Sequence, residues 1–142
     1  MTVGLWLKPY SLLRTLLRGA IVGTDFGLSE SPQLCDLLVS DGTAPDEWRP
    51  CECQIAVVPG DADTRFIRAG RVVTYGLSKN NTITVSSMTD KYLMLAVQKE
   101  IVGLNRKRVQ LQEFMAPRPR SVPPETALAA ASALVALGID IS

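Results

Sequence analysis

Gln54-Ile55-Ala56-Val57-Val58, followed at once by Pro59-Gly60-Asp61, is the stretch that decides the fold. A continuous β-branched apolar run has no solvent-facing side, so it reads as a central parallel strand covered on both faces. The Pro-Gly-Asp that follows breaks it with a turn. Downstream, residues 62–69 read as a short helix with Phe66 and Ile67 available for packing. Gly70 caps that helix, and Arg71-Val72-Val73-Thr74-Tyr75 forms the next strand. Upstream, Val3-Gly4-Leu5-Trp6-Leu7 is an apolar run suited to a buried strand. A helix follows, with Pro9 in its first turn and Leu12, Leu13, Leu16, Leu17 and Ala20 at helical spacing; Gly19 or Gly23 ends it. Leu34, Cys35, Leu37, Leu38 and Val39 mark another strand, stopped by Asp41-Gly42. Residues 44–50, with Trp48, form a polar connector. Strands alternating with helices are the pattern of an α/β domain.

The texture changes after residue 79. Residues 80–116 alternate, as in Thr82-Ile83-Thr84-Val85, and the polar turn Asn105-Arg106-Lys107-Arg108 interrupts them. These segments predict antiparallel strands and hairpins rather than further strand–helix units. Four prolines between residues 117 and 124 make a connector. The alanine-rich stretch over about 125–137 predicts a final helix closed by Gly138. The fold class expected is a single α/β domain over residues 1–142. It is three-layered, with a mainly parallel sheet flanked by helices and an antiparallel, hairpin-rich segment before the last helix.

A chain of 142 residues with 46% hydrophobic content is able to bury a core, so disorder is excluded as its overall character. The net charge of +1 excludes a generally basic nucleic-acid binder. With no histidine, His-based triads and His metal ligands are ruled out. Cys51-Glu52-Cys53 sets two thiols on one side of a strand. A four-ligand metal site would need two more ligands, and only Cys35 remains, so the three cysteines read as ordinary half-buried side chains. No metal and no cofactor is expected. Lys8, Arg14 and Arg18 interrupt the apolar start, so neither a membrane span nor a signal sequence is expected there. The chain reads as cytoplasmic.

Two stretches taken together carry a family resemblance. Val57-Val58-Pro59-Gly60-Asp61-Ala62-Asp63, followed by Arg71-Val72-Val73-Thr74-Tyr75-Gly76-Leu77-Ser78, resembles the central domain of the Mur ligases. There a strand ends in an Asn-Ala-Asp-Asp-like turn and the chain returns through a strand of this type. Residues 127–139, an alanine-rich run ending Leu137-Gly138-Ile139, are similar to a helix of the same domain. The resemblance covers roughly residues 55–78 and 126–140, in the family's order. It implies a Rossmann-like fold and, by analogy, a place in bacterial cell-envelope metabolism. The departures concern the chemistry. Those ligases hold their nucleotide with a Gly-rich loop ending in Gly-Lys-Thr/Ser. After its first strand this chain carries Lys8-Pro9-Tyr10-Ser11-Leu12-Leu13-Arg14-Thr15, with no glycine and with a proline that removes a donor. Gly60 stands where the family's turn begins with Asn. Val122-Pro123-Pro124-Glu125 stands where the family has Gly-x-His-Asn, and the sequence stops where a further ligase domain would follow. The resemblance therefore implies the scaffold without the ATP-dependent ligase activity.

The candidate ligand-binding residues are Lys8, Tyr10, Ser11, Asp61 and Asp63. The first three occupy the place of a phosphate loop, after the first strand and at a helix start. Asp61 and Asp63 follow the end of a parallel strand, beyond which open α/β sheets bind ligands. The plain alternative for the two aspartates is a turn and helix N-cap. Residues 21–63 hold nine acids against one base, whereas residues 99–120 hold six bases against two acids. Arg106, Lys107 and Arg108 are thus a candidate interaction surface, for phosphate or for an acidic partner. Few aromatics lie among them, so nucleic acid is the less favoured partner. Function is expected to be that of a non-catalytic binding or interaction module. The alternatives are a nucleotide- or phosphate-ligand enzyme with a remodelled site near Lys8 and Asp61, and a nucleic-acid binder using residues 106–108. A homo-oligomer through an exposed strand edge is a further expectation.

Overall fold

The structure is a computed structural model and describes residues 1–30, 32–43, 49–119 and 121–139. Along the chain run β1 (Thr2–Trp6), α1 (Leu12–Ala20), β2 (Gly27–Glu30), β3 (Leu34–Ser40), β4 (Cys51–Pro59), β5 (Ile67–Tyr75), β6 (Ile83–Met88) and β7 (Tyr92–Val97). They are followed by β8 (Ile101–Val102), β9 (Arg108–Val109), β10 (Gln112–Pro117) and α2 (Pro124–Leu137). Eight strands form one mixed sheet in the order β10-β7-β6-β5-β4-β3-β1-β2, and β8 and β9 form a separate two-stranded ribbon. β2, β1, β3, β4, β5 and β6 are parallel, with β4 central: Leu37 faces Ile55, and Ile55 faces Arg71. β7 turns back antiparallel against β6, and β10 against β7. The chain is thus α/β with a mainly parallel sheet and an antiparallel segment, as its apolar runs and later alternation suggested.

Ile55, Ala56, Val57 and Val58 are all fully or almost fully buried, which is what an uninterrupted apolar run requires. The odd-numbered side chains Leu37, Val39, Ile55, Val57, Val73 and Tyr75 share one core with Leu13 and Leu17 of α1 and Leu128 of α2. The two helices touch each other over this face. On the opposite side Trp6, Cys35, Leu38 and Cys51 make a smaller cluster against Cys53, Phe66 and Ile67. Among the described residues no helix lies on that face. Pro32 sits over it near Gly4, where an added Cβ would come 2.8 Å from the Cys35 sulfur.

Several expectations are corrected. Residues 62–69 make no helix: Asp63 accepts the Arg65 N–H at 3.1 Å in a local turn, and β5 is already paired with β4 from Cys51↔Ile67 onward. Gly70 is therefore a mid-strand residue, not a cap. Only a short link separates the two strands, and ladder pairing over nine residues outweighs weak local helix preference. Pro9 lies before α1 rather than in it; Ser11 is the N-cap, its hydroxyl accepting the Leu13 N–H at 3.2 Å. The strand β2 carried no readable signal in the sequence. In contrast, α2 begins on Pro124 and ends on Gly138 in the left-handed conformation, as its composition indicated. The connector part at 44–48, with Trp48, lies outside the described residues.

Candidate functional site

β5 and β6 pair parallel at a single position, Tyr75↔Ile83, so β6 continues past the carboxyl end of β5. The intervening loop, residues 76–82, stands as a wall beside the ends of β4, β3 and β1. Behind it is a cavity of about 850 Å³. Its lining draws on every neighbouring strand end: Lys8 after β1, Asp41 after β3, Pro59, Gly60 and Asp61 after β4, and Thr74 to Ser78 at the end of β5. Ser11, the N-cap of α1, with Leu13 of α1, and Glu125, Thr126, Leu128 and Ala129 of α2, close the helix side; Asn80, Asn81 and Lys99 complete it. This is the carboxyl edge of the parallel strands, where open α/β sheets place ligands.

The floor is rigid. The Tyr75 hydroxyl donates to the Ser40 carbonyl at 2.6 Å, and the ring is buried. Burial first, then the charges of Asp41 and Asp61, push the Tyr75 phenol well above its ordinary titration range. Both aspartates line the cavity with Tyr75. The two carboxylate oxygens of Asp41 accept the N–H groups of Lys8 at 2.9 Å and Thr43 at 2.8 Å. Asp41 braces the turns after β1 and β3 together. Asn81 is 5% exposed, and its amide lies between two glycines. A Cβ on Gly60 would overlap its Oδ1, and one on Gly76 would come within 2.7 Å of its Nδ2. Glycine at both positions is what lets the buried amide reach the cavity. Its Nδ2 donates to the Ser78 carbonyl at 2.9 Å, and Gln98 Nε2 donates to the Asn81 carbonyl at 2.9 Å. Lys99 donates to the Asn80 carbonyl at 3.2 Å.

Of the residues singled out in the sequence, Lys8, Ser11 and Asp61 come together around this one cavity. Tyr10 does not line it: its side chain is fully exposed and its backbone is left-handed, with φ of 61°. Asp63 is turned to Arg65, with which it forms an exposed ion pair at 2.7 Å. The Arg65 hydrogen bonds hold its carboxyl below the usual range. Arg106, Lys107 and Arg108 lie away from the cavity, at the β8–β9 turn, where Arg108 meets Glu100 at 3.1 Å. Asp41, Tyr75, Asn81, Lys99 and Glu125 are among the lining residues that sequence reasoning did not place at a ligand site. Asp41 carried a usable signal, since it follows a strand end as Asp61 does. Asn81 and Lys99 did not, because only the staggered β5–β6 pairing brings them in.

The three cysteines converge on the face away from the helices. Cys35 and Cys51 are buried, their sulfurs 3.7 Å apart, and Cys53 contacts both. Cys35 is pushed up to about 12, foremost by its contact with Cys51. Cys53 is pushed up to about 12, foremost by Cys35. For Cys51 the Cys35 contact pulls down, but Cys53 and burial carry it up to about 11. These are thiols held protonated. Among the described residues no group of three Cys, Asp or Glu side chains is arranged to hold a metal ion, and no helix is long and apolar enough to cross a membrane. No family model matches the chain, and no curated protein matches its sequence.

Proposed function

We propose that the chain is a non-catalytic binding module that takes a small polar ligand in the cavity at the carboxyl edge of β1, β3, β4 and β5. The observation that carries this is the convergence of Lys8 and Ser11 with Asp61, some 50 residues away in sequence, on one 850 Å³ space with a braced floor. The volume suits a small ligand, and a few placed polar groups on an apolar wall suit its recognition. The groups displaced most, Tyr75 and the three cysteines, all move away from neutrality. An acid or base poised for catalysis would move toward it.

The scaffold is read as a relative of the Mur ligase central domain. That relation calls for helices on both faces of the sheet. Here α1 and α2 supply one layer, and the reading takes the face over Cys35 and Leu38 as one where connectors have replaced helices. Three free thiols suit a reducing, cytoplasmic setting. A nucleotide-binding enzyme is the second reading, favoured by Lys8 and Ser11 at the head of α1.

Thermal melting against a panel of polar metabolites, followed by amide-shift mapping of each stabilising compound, tests the first reading. At least one compound is expected to shift Gly60, Asp61, Gly76 and Asn81. A panel in which nothing does so overturns it. Calorimetry with ATP and Mg²⁺ decides between the readings. Binding tighter than about 100 µM that Lys8→Ala abolishes would replace the non-catalytic reading with the nucleotide one.

A further inference from the structure

We infer that Cys53 and Cys35 form a reversible oxidative modification site, which takes a small peroxide as co-reactant and closes a disulfide that ties β4 to β3. The site lies on the sheet face away from the helices and does not depend on the binding reading above.

Three thiols meet there, and their exposure differs. Cys51 is 0% exposed and Cys35 7%, whereas Cys53 is only half-buried, so Cys53 is the thiol that a small solute reaches from solvent. Cys53 contacts both of the others. Apart from backbone groups, the three sulfurs have one another as their polar contacts among the described residues.

The register selects the pair that can bond. Residues facing one another on neighbouring strands have Cα atoms about 4.8 Å apart, within the span that a disulfide bridges. Cys35↔Cys53 is such a pair in the β3–β4 ladder, and its two side chains leave the sheet on one face. The Cys35 and Cys51 sulfurs are 3.7 Å apart. Yet Cys51 precedes Cys53 by two residues, which takes its Cα to roughly 8 Å from that of Cys35, too far to bridge without backbone movement. Cys51 and Cys53, on one extended strand, are roughly 6.6 Å apart, at the upper limit of the range. Sulfur contact alone would favour Cys35–Cys51; backbone spacing favours Cys35–Cys53.

Cys53 loses its thiol proton and its sulfur attacks a peroxide oxygen. The S–O bond forms as the O–O bond breaks, and the released hydroxide takes up the proton as water. The Cys35 sulfur then attacks the Cys53 sulfenic acid. The S–S bond forms, the S–O bond breaks, and the hydroxyl leaves with the Cys35 proton as a second water. Two thiols and one hydrogen peroxide thus give one disulfide and two waters, the sulfurs giving up two electrons that the peroxide oxygens take. A dithiol reverses this by exchange. Both thiols are pushed up to about 12 and are protonated at neutral pH, so the site responds slowly, to sustained oxidant. Cys51 stays a thiol.

The test exposes the full chain to a modest excess of hydrogen peroxide at neutral pH, then alkylates the remaining thiols in urea and measures intact mass. Cleavage after Glu52 puts Cys51 and Cys53 on different peptides, so the bond can be mapped. Loss of two hydrogen atoms is expected, with alkylated thiols falling from three to one, the bond joining Cys35 to Cys53, and dithiothreitol restoring all three. Cys51→Ala should still close the bond, and Cys53→Ala should leave Cys35 and Cys51 as thiols. The mapping on the unsubstituted chain decides the matter even where a variant fails to fold. A bond from Cys35 to Cys51, a disulfide between two chains, or sulfinic acid gathering on Cys53 without a disulfide overturns the inference. So does a folded chain that keeps all three thiols while the urea-unfolded chain reacts.

Discussion

Gly60→Ala is the most informative substitution. The new methyl group would overlap Asn81 Oδ1, and the amide has little room to move: the residue is 5% exposed, and Nδ2 is held by the Ser78 carbonyl at 2.9 Å. Relief requires moving the Asn81 side chain, with loss of its 2.9 Å bond to Ser78, or shifting the turn after β4. Overpacking of this kind costs about 2 kcal/mol. The lost hydrogen bond adds about 1 kcal/mol, and the reduced freedom of the unfolded chain returns about 0.5 kcal/mol. The net expectation is a loss of about 2.5 kcal/mol, or a melting midpoint lower by roughly 8 °C. The decisive assay is a double-mutant cycle by urea unfolding. In an Asn81→Ala background the overlap is gone, so Gly60→Ala should cost about 0 kcal/mol there. A wild-type midpoint for Gly60→Ala alone, or the same cost in both backgrounds, would refute the argument that these glycines exist to admit the Asn81 amide.

Three further outcomes are expected. Because the cysteines titrate at about 11 to 12 in the folded chain against an ordinary 9.0, their contribution is complete below pH 9 and is lost as pH rises toward 12. The urea midpoint should therefore fall through that window and stay flatter in a variant with all three changed to alanine; identical slopes would contradict the buried thiol cluster. Tyr10→Gly should raise stability by about 1 kcal/mol, since an exposed side chain with φ of 61° gains nothing from packing and carries left-handed strain; a destabilised variant in thermal melting would show that Tyr10 makes a contact that offsets this. Among the described residues β10 ends the sheet with an unpaired edge, and Met115 on it is half-exposed, so light scattering should show self-association rising with concentration and weakening on Met115→Lys. A monomer at every concentration ends that expectation.

The parallel half of the fold was legible because its signals are local. The run 55–58 cannot sit on a surface, and Pro124 and Gly138 bracket α2 by backbone geometry alone. Residues 62–69 misled because Phe66 and Ile67 pack equally well from a strand end. What overruled the helix was pairing with β4, a contact that local sequence does not encode. The candidate site divides in the same way. Lys8, Ser11 and Asp61 follow a rule about strand ends and could be picked out one by one. Asn81 and Lys99 depend on where β6 starts relative to β5, a single-residue pairing with no compositional mark. The paired glycines at 60 and 76 are visible as letters, but their reason, the amide between them, appears only in three dimensions.

The central claim is that the carboxyl edge of the parallel strands is where this molecule meets its ligand. Crystals soaked in mixtures of small polar fragments examine that without prior choice of compound. Fragment density gathering between Lys8, Asp61 and Asn81, in preference to the rest of the surface, is the predicted result. Fragments collecting at the β8–β9 turn around Arg106, Lys107 and Arg108 while that space stays empty would contradict it.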